Sequence, residues 1–532
     1  MMVLARLKKP ATFSSVVFLP LFVCLFAAFS AAAGGEAKRR PNILFILTDN
    51  QAASLIGAYG NRDINTPNID RLAAEGVKFT NAFAVNGMCS ATRATLMTGL
   101  MPSQHGVHNW LDDAMLKQWP RDWSAVAEYR TLPWTLQESG YQTAMIGKWH
   151  LGQPWKPSIG YQHWVTFADG HTTDFWDNQV IDNQRQYRVR DRHIVDYFTD
   201  KAVEYLDDYQ GDQPFYLQLN YDGPYVNPPT NMGPARNRFY SQYLEQDFKS
   251  FPESDFHPNL EQQEKDFKAQ GQESAFLNKI IKMSRQMHGD QTTRANIASQ
   301  NTLVDDGVGR VMEALRRNGL DENTLVVFST DQGNFYGQHG LWTHTVITTP
   351  SNLYDTAMRV PLIFWHKGEL AAGIEEAAMI GQYDIPRTLL DYVGLGKVPL
   401  QNSPGQSFVE TLRGQQHRGR EAVFFEQEET RGIRTQRFSY WKRLDGTGQP
   451  ELYHLANDPQ QQRNVIGDPQ FARQVRQLDQ QLVEFFQRYS DEQYDLWRGG
   501  VAKGSVARPE TFQALYGEDW APVTEVKPVY HP

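Results

Sequence analysis

Cysteine is nearly absent from this sequence: there are two, Cys24 and Cys89, in 532 residues. Cys24 lies in an apolar stretch, Val16 to Phe29, which follows Arg6, Lys8 and Lys9 and runs into Ser30-Ala31-Ala32-Ala33. A basic start, an apolar core and small closing residues are the parts of a secretory signal peptide. The alternative is a membrane anchor, but Pro20 interrupts the stretch and small residues end it. Residues 1–33 are therefore expected to be a signal peptide, and the chain to be exported, periplasmic or secreted, without a stable membrane anchor. Phe22 and Val23 do not resemble a lipoprotein acceptor site before Cys24. With the signal removed, Cys89 stands alone and no internal disulfide can form. A lone cysteine in an exported chain is either a reactive group or a buried structural thiol.

Long basic runs are also lacking, which excludes a nucleic-acid stripe. Formal net charge is −9, and residues 1–33 carry only positive charges, so the remainder is more acidic still. Such a protein must gather positive charge locally to hold an anion. There are no internal repeats or low-complexity tracts. Apolar residues at 40% and charged residues at 21% exclude disorder and fit a globular chain. The length suits one large domain plus a smaller one.

Pro41 to Thr48 is an apolar run ending in Asp49-Asn50, the pattern of a buried parallel strand with polar groups at its C-terminal end. Thr143 to Ile146, Phe215 to Leu219, Leu325 to Phe328 and Pro361 to Trp365 read similarly. Ile69 to Glu75 reads as a helix. Val304, Val308, Val311, Met312 and Leu315 share one helical face, with Gly319 just beyond the helix end. Strands alternating with helices predict an α/β fold, a large mostly parallel or mixed sheet flanked by helices. In such sheets ligands bind beyond the carboxyl ends of the strands. Residues 41–415 are assigned to this catalytic domain. A polar insertion at about 231–294 is either a wall or lid over the site, or a solvated excursion. Residues 420–532 form a smaller C-terminal α+β domain and tail, with strands expected at Arg434–Leu444 and Leu452–Tyr453 and an amphipathic helix at Phe471–Tyr489.

Cys89 follows the loop Asn86-Gly87-Met88 and opens an expected helix through Gly99. Free N–H groups and a partial positive charge at a helix start favour an anion. Arg93, four residues on, shares that face and can reach the same oxyanion. Lys148 and His150 follow the Thr143–Ile146 strand. If extended backbone continues, both point to one face, which suits anion binding with proton transfer. Asp49-Asn50 and Asp331-Gln332 end two parallel strands at one sheet edge. Each pair alone reads as a cap or turn. Together they offer oxygen ligands for a hard divalent cation, Ca²⁺ or Mg²⁺, rather than zinc.

These motifs resemble the formylglycine-dependent, arylsulfatase-like (type I) sulfatases of the alkaline phosphatase superfamily. The similarity includes Pro41–Asn50, Asn65–Leu72, Cys89–Gly99, Gly147–Gly152, Val304–Leu315 and Val326–Gly340, then Arg359-Val360-Pro361, Glu451-Leu452-Tyr453 and Asn457-Asp458-Pro459. They stand in family order across roughly residues 41–465. The resemblance implies a sulfuric ester hydrolase in which a maturation enzyme oxidises Cys89 to formylglycine (3-oxoalanine). The hydrated aldehyde attacks sulfur through one hydroxyl and expels sulfate through the other. It implies calcium at Asp49, Asn50, Asp331 and Gln332 beside residue 89, Arg93 stabilising the hydrate, Lys148 binding sulfate, and His150 assisting at the diol.

The sequence departs from the family at four places. Ala91 stands where the maturation motif commonly has Pro, and Asn50 where the metal site commonly has Asp. Tyr225 takes the place of a histidine, and Thr348–Asn352 lacks the usual lysine. Those last two groups normally grip sulfate and protonate the leaving oxygen. His344 is therefore the candidate leaving-group acid, with Tyr225, His339 and His105 as candidate pocket residues. Export, the insertion and Trp110, Trp164 and Trp176 near the expected rim favour a sulfated carbohydrate. Alternatives are a formylglycine-dependent phosphodiesterase or phosphonate monoester hydrolase, and a catalytically silent glycan-binding homologue. Oligomeric state is not legible from the sequence.

Overall fold

Ten strands make the main sheet: β1 (Asn42–Asp49), β2 (Val77–Phe83), β3 (Gln142–Gly147), β4 (His163–Phe167), β5 (Asp177–Asp182), β6 (Arg185–Arg190), β7 (Phe215–Pro224), β8 (Thr324–Thr330), β11 (Arg359–Trp365) and β12 (Ile374–Gly381). The intervening β9 (Phe335–Tyr336) and β10 (Trp342–Thr343) form a separate two-stranded ribbon. This is a computed structural model, which describes residues 39–172, 174–211, 213–225, 229–415 and 419–522. The expected signal peptide lies outside the described residues. Among those described, no helix is long and apolar enough to cross a membrane.

The strand order is β12-β2-β11-β8-β1-β7-β3-β4-β5-β6. β8, β1, β7, β3 and β4 are parallel neighbours, and antiparallel strands join both flanks. The sheet is therefore mixed around a parallel centre, as the alternation of strands and helices predicts. Side chains of β1 alternate between its faces. Ile43, Phe45 and Leu47 enter one core with the Cys89–Thr98, Leu132–Glu138 and Ile385–Tyr392 helices. Leu44 and Ile46 enter another with the Pro67–Ala74, Ile194–Asp207 and Gln291–Arg317 helices. Burial on both faces is why β1, β7 and β8 read as continuous apolar runs.

The predicted stripe of Val304, Val308, Val311, Met312 and Leu315 is buried, and Gly319 sits beyond the helix end at φ 64°. The helix begins earlier than expected, at Gln291, because the Asp290 carboxylate caps it by accepting from the Thr293 N–H at 2.8 Å. The polar insertion therefore stops near residue 290. It holds two helices, Pro258–Ala269 and Phe276–Met287, whose Leu260, Ile280 and Ile281 join the main core. A purely solvated excursion does not fit that packing.

The second sheet is antiparallel, β13 (Ala422–Gln427), β14 (Thr430–Thr435), β15 (Phe438–Arg443) and β16 (Glu451–His454). The single strand expected over Arg434–Leu444 is instead the end of β14, a turn at Gln436-Arg437, and β15. The Ala472–Arg488 helix lays Leu478, Leu482, Phe485 and Phe486 against this sheet. The described residues from 40 to 522 belong to one compact unit, so the change of sheet near 420 does not interrupt the packing.

His193 caps the Ile194–Asp207 helix, its Nδ1 accepting from the Val195 N–H at 3.3 Å. Burial pushes its pKa down to about 3. The folded value lies below the ordinary value of about 6.5, so the neutral imidazole's contribution is complete above pH 6.5. It is lost as pH falls from there towards 3. The melting temperature of the protein should therefore fall between pH 7 and 4.5. His193→Asn, which keeps a cap acceptor that does not titrate, should fall less. Equal slopes in a melting series would refute this account.

Candidate active site

The C-terminal ends of β1, β3, β7 and β8 deliver Asp49, Lys148, Asp222 and Asp331 to one edge of the sheet. All four are buried. The Cys89–Thr98 helix ends on Gly99 in the left-handed region and points its N-terminus at this edge. Its lead-in loop is held by the second sheet: Asn86 Nδ2 donates to Glu426 O at 2.6 Å, and the Gly87 N–H to Gln427 Oε1 at 3.0 Å. Cys89 Sγ lies 3.6 Å from Asp49 Oδ1 and 3.2 Å from Gln332 Nε2.

Arg93 is one helical turn below. Its Nε and Nη2 donate to Asp331 Oδ2 at 3.0 and 2.8 Å, and Nη2 also donates to Asp49 Oδ2 at 3.1 Å. It therefore fixes both carboxylates through Oδ2; Asp49 Oδ1 faces Cys89, while Asp331 Oδ1 accepts from the Asn50 and Gln332 N–H groups at 3.2 and 2.8 Å. Lys148 Nζ pairs with Asp49 and lies 3.5 Å from Asp222 Oδ1. Tyr225 places its ring 4.8 Å from the same ammonium, a cation–π contact. Burial raises the Asp49 carboxyl pKa, but Lys148 and Arg93 more than offset this and hold it below its ordinary value. Burial pushes Asp331 and Asp222 up, Asp49 adding to both.

The alternation rule does not carry Lys148 and His150 into the site, because His150 adopts φ 51° and the chain turns there. Both arrive nonetheless. His150 Nε2 lies 3.1 Å from Leu111 O and must donate to it. That assigns the acceptor tautomer to Nδ1, which is buried without a hydrogen-bond partner among the described residues. His344 Nε2 is 3.2 Å from Asn50 Oδ1, and burial takes its pKa down to about 4.

A pocket opens above Cys89, lined by His150, His344 and Tyr225 among others. His105 is not in that lining. It is buried beneath the helix, its Nε2 3.2 Å from Thr95 Oγ1 and its Nδ1 accepting from the Val107 N–H. His339 is also elsewhere, stacked on Tyr354 at 3.9 Å and 3.5 Å from Gln462. Trp164 is fully buried in the core and Trp176 packs on Arg236 and His193. Of the three expected rim tryptophans, Trp110 alone lines the pocket. Asp222 was missed, although a third carboxylate ending a parallel strand obeys the rule that singled out Asp49 and Asp331. His171, 5.9 Å from His150 and also lining the pocket, comes from an irregular loop and gave no signal. Phe276, Leu277 and Ile280 of the insertion form one wall.

The sulfatase family model matches residues 41–395. The chain belongs to the sulfatase family. A second model, the C-terminal region of N-sulphoglucosamine sulphohydrolase, matches residues 337–488 of this sulfatase. An N-acetylglucosamine-6-O-sulfatase of Bacteroides thetaiotaomicron is 27% identical, the match covering 90% of this chain and 92% of that protein. An ulvan-active sulfatase of Formosa agariphila is 28% identical over 86% of this chain and 83% of its own. The solved structure of BT4656 in complex with its substrate D-glucosamine-2-N,6-O-disulfate has a TM-score of 0.65 and 26% identity, covering 86% of this chain and 99% of that one. This sulfatase is thus a sulfuric ester hydrolase with the alkaline phosphatase-like fold.

Gly147 sets the distance between β3 and β7 beneath Lys148. It holds φ 116°, and an added Cβ would meet Asn220 O at 1.8 Å. Gly147→Ala should cost about 3 kcal/mol or more from backbone overlap and strain, read by urea unfolding. Gly140→Ala, at φ 92° with open space around it, should cost about 1 kcal/mol. Equal losses would mean that the contact with β7 adds nothing.

Proposed function

We propose that this sulfatase releases sulfate from a sulfated carbohydrate, with residue 89 acting as formylglycine and calcium held by Asp49, Asn50, Asp331 and Gln332. The observation that carries this reading is the placement of Cys89 directly over Asp49 and Gln332. The chemistry of the donor set fits a hard cation. Asp49, Cys89 and Asp331 each bring a ligand atom within 4.8 Å of the others. Three carboxylates there face two side-chain cations, and a divalent ion would turn the residual charge positive, as an anionic ester requires. The amides also fit. Asn50 Oδ1 and the Gln332 amide already meet, while Asn50 Nδ2 is buried without a partner; reorienting these amides turns their oxygens to a cation. Calcium there would supply Lewis-acid polarisation.

The environment argues against a thiol nucleophile. Burial, with Asp49 adding to it, pushes the Cys89 pKa well up, so a thiolate is disfavoured. As an aldehyde hydrate, residue 89 supplies one hydroxyl to attack sulfur and a second to release sulfate. His150 Nδ1 accepts a proton from that residue. Lys148 neutralises the ester and Arg93 keeps both carboxylates in register. His344 serves the leaving oxygen: burial keeps it neutral, and a bound sulfate ester raises its proton affinity. The three carbohydrate-directed relatives support the substrate class. Export, with maturation by a formylglycine-generating enzyme acting despite Ala91, belongs to the same reading.

Peptide mass spectrometry of the Cys89 segment after co-expression with a maturation enzyme should find the aldehyde. A fully thiol segment in an active preparation would overturn the mechanism. Chelation should abolish turnover and calcium should restore it. Lys148→Ala should lower kcat/KM by about 100- to 1,000-fold, the effect of removing one electrostatic group. His344→Ala should lose about 100-fold or more on alkyl sulfates and much less on nitrophenyl sulfate, whose leaving group needs no proton. Equal losses on both would move the acid elsewhere, His171 first. Paired sulfate and phosphate esters complete the test: dominant phosphoesterase activity would reject the sulfate assignment.

A further inference from the structure

Beyond the charged floor, the pocket changes character. None of the described residues lining it is Lys, Arg, Asp or Glu. The two cations of the site are committed beneath, Arg93 to Asp49 and Asp331, and Lys148 to Asp49 and Asp222. Beside Cys89 the lining is largely apolar, with Leu277, Ile280, Val346 and Ile347.

At the rim, Trp110 and Phe276 approach with ring centroids 6.1 Å apart and planes tilted by 45°. Phe276 is 60% exposed, at the first position of the Phe276–Met287 helix. One exposed aromatic needs no explanation by itself, but Phe276 also lines the pocket and is paired with Trp110, so two ring faces are offered at its mouth. Aromatic faces pack well on the C–H face of a pyranose ring, because that face is apolar while the hydroxyls point outward.

We infer that Trp110 and Phe276 are specificity-determining residues that seat an uncharged ring, so that this sulfatase prefers esters whose leaving alcohol carries no second anionic group. A carboxylate or further sulfate on that alcohol enters a lining whose described residues include no Lys or Arg to receive it, and its desolvation goes uncompensated there. The inference rests on the sulfatase reading of residue 89 and adds the charge class of the alcohol. It sets this chain apart from BT4656, whose substrate carries two sulfates.

The test uses formylglycine-bearing enzyme and a panel of neutral hexose and N-acetylhexosamine monosulfates, one for each ring position, with counterparts bearing a carboxylate or second sulfate. Sulfate release is followed by ion chromatography. At least one neutral monosulfate should exceed its doubly anionic counterpart by at least about ten-fold in kcat/KM. Trp110→Ala and Phe276→Ala should raise KM for it by about ten-fold, the size of one aromatic contact, with kcat little changed. Phe276→Lys, tolerated at an exposed site, should narrow the gap by favouring the doubly anionic ester. Equal or better turnover of the doubly anionic esters overturns the inference. So does an unaltered KM in both alanine variants. No turnover of any member by aldehyde-bearing enzyme rejects the carbohydrate reading itself, and the inference with it.

Discussion

Two carboxylates with no access to water, Asp49 and Asp331, are held at adjacent strand ends by one guanidinium. Removing carboxylates from water costs several kcal/mol each unless they are paired. Arg93 therefore has to be where it is, and its helix has to lie across this edge of the sheet. Cys89 is one turn above Arg93, so the same ion pairing that makes burial tolerable also aims residue 89. Lys148 completes the balance from β3, and Gly147 lets that strand end lie flush against β7. The active site is thus also the place where five separate chain segments must agree electrostatically.

That agreement has a chemical consequence for residue 89. A thiol among buried carboxylates resists ionisation, whereas a group that reacts as a neutral hydroxyl does not need to ionise first. The surroundings that disfavour a thiolate are thus compatible with the aldehyde hydrate proposed for residue 89, with His150 Nδ1 as its proposed proton acceptor. The pocket above shows the opposite economy of charge, with its apolar wall supplied by the insertion.

Much of this was legible because parallel strands obey a directional rule. Apolar runs that end in Asp49-Asn50 and Asp331-Gln332 had to bring those residues to one edge, and the four-residue spacing put Arg93 under Cys89. Where the backbone leaves regular geometry the reading weakened. His150 reaches the site through a left-handed residue, which no alternation pattern encodes. His105 and His339 carry the right chemistry at plausible places, yet one lies behind the helix and the other stacks on Tyr354; only packing decides that. The β14–β15 turn escaped notice because Gln436-Arg437 lacks the Gly or Asn that usually marks a tight hairpin. His171 and the Phe276 wall belong to segments whose polar composition resembles a loop, and their role exists only in three dimensions.

The wall helix has a position in the chain that matters beyond packing. It falls between β7 and the long Gln291–Arg317 helix, outside every strand that carries a charged group of the floor. Chain segments of different length or composition can occupy that interval without altering the register of β1, β3, β7 or β8. The insertion's share of the pocket wall is therefore written apart from the charged floor, whereas Trp110 lies between the Cys89 helix and β3. That interval can change while the charged floor stands still.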